Sequence, residues 1–159
     1  MRVIDASSIV HAWDTYPVNI FPPLWAWIED ECLAGELCIP RPAMDEVGHV
    51  SPDCEAWLRK SGIKVLPVTN SVLVEARRIQ AALGITNDNY HPAGVDENDI
   101  LIIATARTAS GVLISNESKQ PSLPENFLRY KIPAVCAQFA PPPCVNFLDH
   151  LKQSGQQFG

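Results

Sequence analysis

The sequence predicts an α/β fold in three layers, with a mostly parallel central sheet and helices on both faces. Three observations predict it. Five short apolar runs read as buried strands: Val3–Ile4, "ELCIP", "IKVLPV", "VLIS" and "IPAVC". Between them lie segments whose apolar residues recur at helical spacing. No repeat, low-complexity stretch or composition break divides the 159 residues, so residues 1–159 are expected to form one domain. Short buried strands alternating with helices are the signature of a parallel sheet covered on both sides.

Each element has a local reason. Val3–Ile4 is followed by a short helix over 7–13, then the proline-rich loop "YPVNIFPP". Pro22 and Pro23 suit the first turn of a helix that carries Leu24, Ile28 and Cys32 at i, i+4, i+8, and Gly35 ends it. "ELCIP" is a strand stopped by Pro40, and 42–49 is a helix with Ala43 and Val47 on one face. Ser51 caps the next helix, Pro52 takes its first position and Gly62 stops it. "IKVLPV" is a third strand, weakened by Pro67. Asn70 or Ser71 caps a longer helix with the stripe Val72, Ala76, Ile79, Leu83. After the polar loop "ITNDNYHPAGVDEN", "DILIIATARTASG" is an apolar helix and "VLIS" a buried strand. "IPAVC" is read as the last strand and 144–153 as the last helix.

Composition narrows the function. Apolar residues make up 47% and charged residues 19%, an ordinary globular balance. No apolar run approaches the ~18 residues of a membrane span, and the first residues lack the basic-then-apolar pattern of a secretory signal. A cytoplasmic protein is expected. A net charge of −6 argues against a protein that coats nucleic acid with a basic face. It does not argue against an enzyme that meets nucleic acid through cations held by acids. The five cysteines form no CxxC pair and no Cys/His zinc pattern, so they are expected as reduced, buried thiols.

Ligands of open parallel sheets sit beyond the carboxyl ends of the strands. Four acids fall there. Asp5 follows the first strand, Glu46 lies on the helix after the second, Asp99 opens the helix leading into "VLIS", and Glu117 lies two residues past Ser115. Each has a plain alternative. Asp5 could cap the following helix, and Glu46 could be a solvated helix residue with Asp45 its equal on charge. Asp99 could serve its helix dipole, or a capping box with Asp96. Glu117 could be an exposed loop acid. Together they mean more, because close carboxylates repel unless one takes a proton or a divalent cation joins them. Mg²⁺ takes hard oxygen ligands, usually one or two carboxylates with waters completing its octahedron.

"VIDASSIVHAW" resembles the first motif of PIN domains, a strand ending in Asp followed by small hydroxylated residues. "IPRPAMDE" is similar to the second, "NDILIIATA" to the third and "VLISNES" to the fourth, in the right order from Arg2 to about Cys136. The match points to a branch related to the VapC-like ribonuclease toxins of toxin–antitoxin pairs. The resemblance implies a PIN-like fold, metal-dependent cleavage of RNA and an antitoxin protein as partner. It implies that Asp5, Glu46 and Asp99 hold Mg²⁺ or Mn²⁺, that Glu117 stands for the fourth acid, and that Ser7 supports Asp5 or a water. Ser115 and Glu117 depart from the family's usual Thr-x-Asp, and Asp96 is the substitute for Glu117.

Two rival classes remain. One is a catalytically silent PIN-like module that docks a protein. The other is a phosphotransfer domain with Asp5 as nucleophile, which lacks a second Asp at position 7 and a well-placed strand-end Lys. Arg107 and Lys119 flank the expected site and are candidates to guide phosphate. His11 lies two turns beyond Asp5, close enough for a place near it. The tryptophans Trp13, Trp25 and Trp27 offer more aromatic surface than one small core needs, which predicts a homodimer.

Overall fold

Arg2–Ile4 (β1), Leu37–Pro40 (β2), Lys64–Leu66 (β3), Val112–Ile114 (β4) and Cys144–Val145 (β5) pair in the order β3-β2-β1-β4-β5, every pair parallel. The structure, a computed structural model, describes residues 1–159. Around the sheet lie Ala6–Thr15 (α1), Pro22–Leu33 (α2), Arg41–Val50 (α3), Pro52–Lys60 (α4), Asn70–Leu83 (α5), Glu97–Thr108 (α6), Ile132–Gln138 (α7) and Phe147–Ser154 (α8). The result is the expected three-layer α/β architecture.

β1 is the central strand. Arg2 pairs with Leu37 on one side and with Val112 on the other. Val3, Ile4, Cys38, Ile39, Leu113 and Ile114 are completely buried. That double burial is why these strands read as unbroken apolar runs rather than alternating ones. The buried apolar side chains form one contiguous cluster.

Three details depart from the sequence reading. "IPAVC" is not a strand but the start of α7: Pro133 occupies the first helical turn, where its missing N–H costs nothing. The fifth strand is instead the two-residue Cys144–Val145, and the last helix begins at Phe147, capped by Asn146. The cap of α5 is Thr69, whose side chain accepts from Val72 N at 3.3 Å, rather than Asn70 or Ser71.

The tryptophans are used within the chain. Trp13, Trp25 and Trp57 form one edge-to-face group, with centroids 4.9 Å apart for Trp25–Trp57 and 5.4 Å for Trp13–Trp25. Trp27 packs on His150 and Phe158. The protomer's own packing thus buries Trp25 and leaves Trp13 and Trp27 half-buried.

Candidate metal centre

Asp5 lies where β1 ends. Its backbone N–H still pairs with Ile114 O at 2.9 Å, and the residue then serves as N-cap of α1 without a side-chain cap bond. The residue is 3% exposed. Two hydroxyls converge on the same oxygen: Ser7 Oγ donates to Asp5 Oδ2 at 2.6 Å and Ser115 Oγ at 3.0 Å. The donors' directions are fixed from behind. Ser7 Oγ accepts from Asn116 N at 3.0 Å and Ser115 Oγ from Glu117 N at 3.3 Å, which turns each hydroxyl proton toward Asp5. Asn116 ties the rest together, its Oδ1 accepting from Ser8 Oγ at 3.0 Å and from Phe147 N at 2.9 Å.

The other acids come from three further segments. Glu46 stands exposed on α3, which leaves β2 directly at Pro40. Asp99 sits in the first turn of α6, where it forms a full capping box with Asp96. The entry to α6 is held by Val95 N, which donates to Tyr130 O at 2.9 Å. Gly94 lies so close that a Cβ there would strike the Leu128 carbonyl. Glu117 follows β4 and accepts from Ile132 N, the first N–H of α7, at 3.0 Å.

The structure brings all five acids into one electrostatic field. Burial pushes the Asp5 carboxyl above its usual range, against the lowering effect of the Ser7 and Ser115 bonds. Partial burial raises Glu46, and Asp5, Asp96 and Glu117 raise it further. Asp99 is pushed up to about 8, by burial first and then by Glu117, Asp96 and Asp5. Burial raises Glu117 as well, with Asp5 and Asp96 adding to it while the Ile132 N–H and Lys131 pull it down. No ion pair reaches any of the five; the chain's salt bridges all lie elsewhere.

Unpaired, mutually repelling carboxylates made of hard oxygens are the donor set that Mg²⁺ or Mn²⁺ requires. Asp99 and Glu117 each commit one oxygen to a backbone N–H and keep the other. As the side chains stand, no three of them form a ligand cluster. The residues fit the cation in kind and charge.

Of the flanking cations, Arg107 is not a phosphate guide. It donates to Phe139 O at 2.6 Å and to Pro141 O at 2.8 Å, and it pairs with Glu75 at 3.5 Å, so its guanidinium pins the 139–141 segment to α6. Lys119 and His11 instead line a cavity beside Glu117. Sequence reasoning missed Ser115 and Asn116 as positioning residues. The one available signal was their polar run directly after an apolar strand.

A model of the family described as "Domain of unknown function (DUF4411)" matches residues 3–158. The chain belongs to that family. No curated protein matches this DUF4411 chain in sequence. Among solved structures it is similar to a chain in the structure of VapBC2 from Rickettsia felis bound to a DNA fragment from their promoter. That match has a TM-score of 0.57 at 12% identity and covers 91% of this chain and 97% of the other. It is also similar to PAE2754 from Pyrobaculum aerophilum, at a TM-score of 0.55 and 16% identity, covering 98% and 96%. The DUF4411 chain thus has a PIN-like, VapC-like fold.

Proposed function

We propose that this protein is a Mg²⁺- or Mn²⁺-dependent endoribonuclease that hydrolyses phosphodiester bonds in RNA, and that it acts as the toxin of a toxin–antitoxin pair. The observation that supports this most is the set of carboxylates at the carboxyl ends of β1, β2 and β4, with raised proton affinity and no cationic partner. Asp5 and Asp99 would hold the ion, with Glu46 and Glu117 (or Asp96) completing its surroundings. When bound, the cation supplies positive charge that activates water and stabilises the leaving oxygen.

The chain's own residues do the rest. Ser7 and Ser115 fix the Asp5 carboxylate, and the Asp96 N–H fixes that of Asp99. Glu46, exposed at the rim with a raised proton affinity, is suited to take the proton of the attacking water. A VapC-like fold, and a neighbour whose structure is a VapBC2 assembly on promoter DNA, favour a small antitoxin protein as partner. No helix is long and apolar enough to cross a membrane, and the proposed action on RNA favours the cytoplasm.

The test is cleavage of a mixed RNA pool with Mn²⁺, with EDTA, and with Asp5→Asn, Glu46→Gln and Asp99→Asn proteins. Metal-dependent cutting lost in all three variants is the expected result; cutting by Asp5→Asn sinks the assignment. A silent docking module is the second reading, favoured by the engagement of Asp99 and Glu117 with backbone N–H groups. An Asp5→Asn protein that keeps full effect in the cell would establish it.

A further inference from the structure

Beside the acids lies a cavity of about 280 Å³, closed by α1, the segment after β4, β5 and the start of α8. Ser115 and Glu117 form the edge it shares with the acid site, and Tyr16, Asn116, Lys119 and Asn146 line it. Its size is just below the range of about 300–1,000 Å³ common for small-molecule pockets, which suits one nucleotide rather than several.

Two amides of the lining are held as donors. Asn116 Oδ1 is taken by Ser8 Oγ and Phe147 N, and Asn146 Oδ1 by Asp149 N at 2.7 Å. A backbone N–H can only donate, so neither amide can turn over, and both keep their NH₂ groups without an acceptor in the protein. Lys119 is exposed, makes no ion pair and adds an ammonium at the same mouth. These three groups call for acceptors on the ligand, the one facing Lys119 anionic. Tyr16, half-buried, supplies an aromatic wall, the surface on which bases stack.

We propose that this cavity is a subsite for one nucleotide of the RNA strand next to the cleaved bond, and that it selects the keto bases guanine and uracil. The identity of the polymer rests on the nuclease reading above. Guanine offers O6 and N7 as paired acceptors, and uracil offers carbonyl oxygens. Adenine and cytosine offer an amino donor at the corresponding edge. Facing an amide NH₂, that donor would be left unpaired in a partly closed site, which disfavours binding. Lys119 takes the phosphate. The subsite would then set the sequence at which the chain cuts, independently of the acids that cut.

The experiment is calorimetric titration of the whole chain in EDTA with 5′-GMP, UMP, AMP and CMP. No cation or cleavage is needed for the readout. The expected result is that GMP and UMP bind at least fivefold more tightly than AMP and CMP. Lys119→Ala should weaken GMP at least tenfold, and Asp5→Asn should bind GMP no worse than the unchanged protein. Discrimination of this kind in a protein that cuts no RNA would remove the nuclease reading and leave the subsite. Equal binding of all four nucleotides, binding of none, or a Lys119→Ala protein that binds as before would overturn the subsite, whether or not the protein cuts RNA. An acidic peptide that binds where no nucleotide does would overturn it as well.

Discussion

The backbone N–H of Asp99 donates to Asp96 Oδ1 at 2.9 Å, and the backbone N–H of Asp96 donates to Asp99 Oδ2 at 3.0 Å. One carboxylate thus starts a helix and faces a candidate cation site. Asp99→Ala removes both roles, and losing such a cap costs ~1 kcal/mol. Asp99→Asn removes the charge and keeps an acceptor. Both proteins should be inactive on RNA. In melting without metal, Asp99→Asn should stand above Asp99→Ala by about 2–4 °C. Equal melting temperatures would mean that the box contributes nothing.

A cation that binds only the folded chain stabilises it by RT ln(1 + [L]/Kd), ~2.7 kcal/mol at a hundredfold excess over Kd. At roughly 2–4 °C per kcal/mol for a chain of this length, saturating Mn²⁺ should raise the melting temperature by about 5–10 °C. Asp5→Asn and Asp99→Asn should lose most of that response, and Asp30→Asn, on exposed α2 surface, should keep it. A melting curve indifferent to millimolar Mn²⁺ and Mg²⁺ would show that the acids form no site.

Two groups tilt stability with pH in opposite senses. Asp99 has its folded pKa raised from 3.8 to about 8. Its contribution is fully present below the unfolded value and is lost as pH rises through about 8. Metal-free protein should therefore melt lower at pH 8.5 than at pH 6.5, and Asp99→Asn should flatten that slope. His150, 3% exposed, is held down to about 4 by burial and by the charge of Arg2. Its contribution is present above the unfolded value near 6.5 and is lost as pH falls toward 4. Between pH 6.5 and 4, the unchanged protein should lose more stability than His150→Phe. Parallel curves in either comparison would refute that assignment.

Asn116 is the knot between α1, the end of β4 and the start of α8. Asn116→Ala leaves the Ser8 hydroxyl and the Phe147 N–H without an acceptor, and an unsatisfied buried group costs ~1–3 kcal/mol. The melting temperature should fall by at least about 2–4 °C. RNA cleavage should fall too, because the Asn116 N–H that orients Ser7 shifts with the knot. An unchanged melting curve would show that water replaces the amide at no cost.

The parallel sheet and its acids were legible in the sequence because they depend on local order. Asp5 follows β1, Glu46 follows β2 on α3, and Asp96 with Asp99 carries a cap spacing visible within four residues. What was hidden depends on distance along the chain. Isoleucine and valine made "IPAVC" look like a strand, although Pro133 marks it as the opening turn of α7. β5 is two residues long, too short to leave a pattern. Arg107 sits near the site in sequence, but it is held by carbonyls 32 and 34 residues away. Asn116 is locked the same way, by an N–H 31 residues on.

The central place of β1 also sets an order in time. The ribosome makes Asp5 well before the hydroxyl of Ser115 that holds it, which arrives 110 residues later. Asp99 comes nearly as late and Glu117 later still. A nascent chain carries the strand that anchors the centre long before it carries the centre. Translation that stops short of β4 therefore releases a fragment without the assembled acids. A cell making this protein meets the complete site only once Glu117 has emerged.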